Sequence, residues 1–100
     1  MQNNSEKIKE DSFEELVQIF TDITDKKFMK DFMECLFTAA ERADFANRWI
    51  LVKEIDRGTT QRDIAKTFNM SLCKITRGSK ELSKKGSAFR AVLDKYKTKN

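Results

Sequence analysis

The side chains best suited to chemistry in this chain are cationic. They gather between Thr60 and Lys80, in the run TQRDIAKTFNMSLCKITRGSK. Arg62, Lys66, Lys74, Arg77 and Lys80 take outward positions there, while Ile64, Ala65 and Phe68 recur at helical intervals and share one face. Such a cationic surface suits contact with phosphate. Asn69 tolerates the left-handed conformation that a sharp helix end needs. Met70 then points back to the core, and Ser71 can accept amide hydrogen bonds at the next helix start. Ile75, four residues beyond Ser71, would pack on the first of the two helices, and Ala65 is small where they cross. The spacing predicts a helix-turn-helix over about 60–80, its second helix free to enter a DNA groove. An ordinary αα-hairpin explains Ile64, Phe68 and Ile75 equally well. The basic outward positions are what favour DNA.

Charge is distributed unevenly along the 100 residues. Residues 1–56 hold eight Lys/Arg against thirteen Asp/Glu, a net of −5. Residues 57–85 hold eight against two, a net of +6, and residues 86–100 hold four against one, a net of +3. The basic patch therefore coincides with the predicted DNA-reading segment, as phosphate contact requires.

Composition also narrows the function classes. The chain has no histidine, which removes Ser-His triads, His-ligated metals and most general-base schemes. Cys35 and Cys73 are isolated and match no metal spacing, so reduced thiols and no metal site are expected. The three glycines form no phosphate-cradling loop. An enzyme is not expected. No apolar run approaches the roughly 18 residues of a membrane span. The polar start MQNNSEKIKEDS lacks the apolar stretch of a signal peptide, so a cytoplasmic protein is expected.

The positioning elements read as all helical, since proline is absent and the first glycine is Gly58. One domain is expected over 12–97, with flexible tails at 1–11 and 98–100. Ser12 and Glu15 form a capping box before the stripe Phe13, Leu16, Val17, Phe20, Ile23. Asp25 or Thr24 can cap a second helix with Phe28, Met29, Phe32, Met33 and Leu36. Thr38 and Glu41 open a third, with Ala39, Ala43, Ala46, Ile50 and Ile55 inward, ending at Arg57-Gly58. Thr60 and Ser71 start the fourth and fifth helices, and Ser87 caps a sixth with Phe89, Val92, Leu93 and Tyr96. The many phenylalanines before residue 46 suit either burial against a second copy or a well-filled monomer core.

The run Lys74-Ile75-Thr76-Arg77-Gly78-Ser79, with Gln61-Arg62 thirteen residues earlier, resembles the tryptophan repressor family. So does Leu36-x-Thr38-x-x-Glu41-Arg42 leading to Arg48, and the similarity extends from about Phe13 to Tyr96. A glycine inside a recognition helix, at a cost of about 1 kcal/mol relative to alanine, makes the first string specific. The resemblance implies a six-helix intertwined homodimer that binds double-stranded operator DNA when loaded with L-tryptophan, regulating tryptophan biosynthesis or uptake genes. L-Tryptophan is then a co-repressor ligand, with no other cofactor and no membrane partner. Arg48 and Arg77 match the family arginines whose guanidinium planes sandwich the indole. Arg77 and the Thr38 hydroxyl would hold the ligand carboxylate, and Gly78 would leave room for the ring. The main-chain carbonyls of Cys35 and Phe37, from the partner subunit, would accept from the ammonium.

For DNA, Arg62 is the candidate for a guanine edge, and Lys74, Cys73 and Leu72 lie where bases are reached. Gln61, Lys66, Thr76 and Lys80 suit phosphate or sugar. Three departures stand out. Glu81 replaces a serine or other small residue near the expected ammonium, and its carboxylate could attract the ammonium or repel the ligand carboxylate. The loop Gly58-Thr59-Thr60 is one residue shorter than in the best-known members. Leu72-Cys73-Lys74 replaces the more usual Ile-Ala-Thr at positions that reach the bases, which leaves the operator sequence open. The alternative reading is a ligand-independent helix-turn-helix regulator of the same fold. Trp49, beside Arg48, is assigned to packing in the third helix.

Overall fold

The computed structural model describes residues 4–96, in six α-helices with no strand among them. In order these are α1 (Asn4–Asp22), α2 (Lys26–Leu36), α3 (Ala39–Asp56), α4 (Gln61–Phe68), α5 (Leu72–Ser83) and α6 (Ala88–Tyr96). They fall into two compact units divided between Ala39 and Ala40.

The first unit holds α1 and α2. Ser12 does not start α1. The helix begins at Asn4, so Asn4–Asp11 are helical where a tail is expected. The added turns lack glycine and proline and carry a Lys7–Asp11 ion pair at 3.4 Å, the i,i+4 arrangement that supports an exposed helix. The first three residues and the tail expected at 98–100 lie outside the described residues. Asp25 caps α2 with an extended backbone, its carboxylate accepting from the Phe28 amide at 2.7 Å. The Phe20 and Phe32 rings join the two helices, with centroids 5.6 Å apart and planes tilted by 56°. Neither helix contains a buried residue, and Phe13 and Phe28 are 65% and 59% exposed.

The second unit holds the core. Leu51 of α3, Ile64 of α4 and Ile75 of α5 are buried together, with Ile55, Ala65, Phe68 and Met70 packed on them. Ile64 and Ile75 have no exposed surface. On α3 the inward residues differ from expectation. Ala39, Ala43 and Ala46 are exposed and Ile50 is half-buried, whereas Leu51 and Val52 are buried. The run Trp49-Ile50-Leu51-Val52 is apolar on every side, so its own periodicity selects no face. On α6 Leu93 is buried and Phe89 half-buried, but Val92 and Tyr96 are exposed.

Local chemistry sets the ends of these helices. Gly58 leaves α3 at φ +89°, in the region glycine tolerates. Thr60 caps α4 by accepting from the Asp63 amide at 3.1 Å, and Ser71 caps α5 by accepting from the Lys74 amide at 3.3 Å. Between them Asn69 is left-handed, at φ 53° and ψ 50°, and the Met70 amide donates back to the Ala65 carbonyl at 3.2 Å. Ser87 caps α6 through the Arg90 amide at 3.4 Å. Arg90 then reaches across to Asp56 at the end of α3, 2.8 Å away, and also pairs with Asp94 on its own helix at 3.0 Å.

Ile75→Ala should cost about 2–5 kcal/mol of stability in urea unfolding, because it opens a cavity among side chains already excluded from water. A loss under about 1 kcal/mol would show that the site collapses and that the cluster does not hold α5.

Candidate nucleic-acid interface and ligand site

The eight residues expected at DNA lie on α4 and α5, all of them exposed. Gln61 and Arg62 open α4 and Lys66 follows one turn later; Leu72, Cys73 and Lys74 open α5, and Thr76 and Lys80 continue it. The helices bury Ile64 and Ile75 on their other sides. Among the described residues, no ion pair or side-chain hydrogen bond engages Arg62, Lys66, Lys74 or Lys80. These cations keep their charge available for an external anion. The α4–α5 turn is rigid by construction, since one left-handed residue and two hydroxyl caps determine how the second helix departs from the first.

The loop before α4 is secured by one carboxylate. Glu54 on α3 takes the Arg57 guanidinium at 3.0 Å on one oxygen and the Thr59 hydroxyl at 3.2 Å on the other. The loop therefore closes onto α3, and Thr60 arrives in position to cap α4.

Of the residues expected at a ligand, Arg48, Arg77, Gly78 and Glu81 belong to the second unit, and Cys35, Phe37 and Thr38 to the first. Cys35 lies in the last turn of α2, whose final carbonyls have no intrahelical donor. Phe37 is extended at that helix end, and its amide donates to the Met33 carbonyl at 2.9 Å. Arg48 is exposed on α3, with its guanidinium carbon 5.8 Å from the centre of the Phe45 ring one turn earlier. Phe45 thus faces the guanidinium and limits its orientations. The Phe45/Arg48 spacing of three was visible in the sequence as a possible pairing, but not which residues it would face.

Glu81 is not a lone carboxylate. Lys84 Nζ, from the residue that caps the end of α5, lies 2.8 Å from its Oε1. The Lys84 hydrogen bond and charge hold the Glu81 carboxyl below the usual range; burial opposes this, and the Arg77 charge adds to it. The face of α5 carrying Arg77 and Glu81 therefore presents a cation and an anion one turn apart. That pattern is complementary to a zwitterion.

Gly78 has a structural role that spacing did not reveal. A β-carbon there would lie 2.7 Å from Leu51 Cδ2 and 3.2 Å from Leu51 Cγ, with Ile55 Cδ1 at 3.9 Å. The space expected for an indole beside residue 78 is, in the direction of a β-carbon, filled by α3. The glycine lets α5 approach α3 closely. Among the described residues no three His, Cys, Asp or Glu side chains come together as a metal site, and no helix is long and apolar enough to cross a membrane.

Comparison with known proteins places the chain among relatives. The family model described as Trp repressor protein matches residues 11–97. A Trp operon repressor homolog of Xylella fastidiosa is 36% identical over 77 residues, covering 74% of this chain and 82% of its own. One of Chlamydia trachomatis is 34% identical over 71 residues, covering 70% and 76%. One of Chlamydia caviae is 28% identical over 89 residues, covering 88% and 81%. No solved structure matches the chain.

Replacing Lys84 by glutamine should raise the Glu81 pKa toward the ordinary carboxylate value, read by carboxyl-carbon NMR titration. An unmoved titration would show that the pair does not govern Glu81. With a match spanning nearly all of α1 to α6, the chain belongs to the Trp repressor protein family.

Proposed function

We propose that this chain is a transcriptional repressor that binds operator DNA when loaded with L-tryptophan, as an intertwined homodimer acting in the cytoplasm. The observation that carries the DNA reading is the exposed, unpartnered set Arg62, Lys66, Lys74 and Lys80 on two helices whose turn is fixed by caps. Family membership and the relatives' names as Trp operon repressor homologs support the repressor reading and the choice of ligand. On this reading α4 and α5 form a helix-turn-helix, with α5 in the major groove.

The first unit supports the homodimer. Phe13, Val17, Phe28 and Leu36 form apolar faces of α1 and α2 that are exposed in a single chain, and Phe45 of α3 is exposed too. A second copy supplies the apolar surface that would cover them. In helix-turn-helix dimers of this established kind the two reading heads are spaced by about one turn of DNA, roughly 34 Å.

Tryptophan is gripped through its two charges and its ring. Arg77 takes the carboxylate with the Thr38 hydroxyl, Arg48 and Arg77 stack on the indole, and Glu81 faces the ammonium together with the Cys35 and Phe37 carbonyls supplied by the second copy in the homodimer. The Glu81–Lys84 pair is exposed and exchangeable, so the ligand ammonium can take the place of Lys84 at modest cost. This favours the attractive sign for Glu81. Bound ligand holds α3 and α5 at the separation that DNA requires, so it acts by differential affinity for the DNA-competent arrangement. None of these roles needs bond making, and the chain binds rather than catalyses.

Selection from random duplexes, with and without L-tryptophan, tests the reading. The expected result is one enriched, two-fold-related sequence that depends on tryptophan. Enrichment that is equal in both arms would establish the ligand-independent regulator instead. Arg77→Ala should weaken both tryptophan and operator binding; unchanged calorimetric tryptophan affinity would remove Arg77 from the site. Operator affinity should also fall steeply with salt, and a flat response would contradict the phosphate contacts.

A further inference from the structure

The space beside Gly78 suggests a role for Leu51 that goes beyond core packing. Leu51 is 4% exposed and sits in the same cluster as Ile64 and Ile75. Its Cδ2 lies 2.7 Å from the position a β-carbon of residue 78 would take, closer than such a carbon can sit. Because Leu51 is enclosed, it has little freedom to yield. Gly78 and Leu51 are therefore a point at which α5 meets α3. Arg48 lies three residues before Leu51 on α3, and Arg77 immediately precedes Gly78 on α5. The Leu51–Gly78 contact thus falls beside both guanidinium-bearing positions.

We propose that the Leu51–Gly78 contact is the spacer that sets the distance between α3 and α5, and through it the width of the slot between Arg48 and Arg77. This rests on the ligand reading above. Leu51 and Gly78 are positioning residues: they need not touch the ligand, and they determine how thick a planar group the two guanidinium planes can hold together. Glycine at 78 keeps the slot narrow enough for both planes to reach one flat aromatic ring. An added methyl pushes α5 away from α3 and takes one plane out of contact.

The test uses the full chain and four forms: unsubstituted, Gly78→Ala, Leu51→Val and the double variant. Leu51→Val shortens the side chain that meets residue 78 and keeps a branched aliphatic in the core. Thermal midpoints are read by circular dichroism, and L-tryptophan affinity by calorimetry at a temperature where all four forms are fully helical. Alanine is the better helix former, so propensity alone would raise the midpoint of Gly78→Ala. The spacer predicts that the midpoint falls instead and that tryptophan affinity drops about tenfold or more. In the double variant both should recover most of the loss. Recovery of the midpoint without recovery of tryptophan affinity would overturn the proposal, since the methyl would then be striking the ligand itself. An unchanged midpoint and affinity in Gly78→Ala would overturn it as well. If the unsubstituted chain bound no tryptophan, the ligand reading would fail, and with it the slot; the midpoints of the four forms would still decide whether Leu51 and Gly78 hold the helices apart.

Discussion

Three aliphatic side chains hold the second unit together. Leu51, Ile64 and Ile75 come from α3, α4 and α5 and meet with almost no exposure to water. Helices of eight and twelve residues are marginal in isolation, so α4 and α5 owe their persistence to this burial and to their caps. Every outward cation on those helices inherits its position from the same cluster. The Leu51 side chain that completes it also rests against Gly78, so core packing and the approach of α5 to α3 are one constraint.

Around that core, polar interactions are placed where they set geometry more than where they add stability. Glu54 anchors the short loop through Arg57 and Thr59. Arg90 bridges α6 to Asp56 at the end of α3. Glu54, Asp56 and Arg90 are half-buried, so these pairs are partly shielded from water. Here they hold chain ends at defined points. Among the described residues, Arg62, Lys66, Lys74 and Lys80 on α4 and α5 have no such partners.

Much of this was legible in the sequence, and what was legible is local. The caps at Asp25, Thr60, Ser71 and Ser87, the left-handed Asn69 and the glycine end at Gly58 depend on a few neighbouring residues. The outward cations could be read because Ile64 and Ile75 mark the opposite face. Boundaries and long-range packing were not legible. The start of α1 at Asn4 follows from helix-favouring residues without a stop signal, not from the Ser12 box. Leu51 and Val52 displaced the expected alanines of α3 because four contiguous apolar residues have no preferred side until another helix arrives. Gly78 stood out as a glycine in a helix, but its neighbour Leu51 lies 27 positions away in the chain and no local pattern joins them. The Glu81–Lys84 pair was within reach, being one helical turn apart, and it changes the reading of Glu81 from an isolated anion to an exchangeable one.

The proposed gate couples two sites through the separation of α3 and α5, and coupling of that kind is reciprocal. Calorimetric titration of L-tryptophan into the free chain and into its complex with the selected duplex measures it directly. The account predicts that DNA tightens tryptophan by the same factor by which tryptophan tightens DNA. Equal tryptophan affinity with and without the duplex would contradict it.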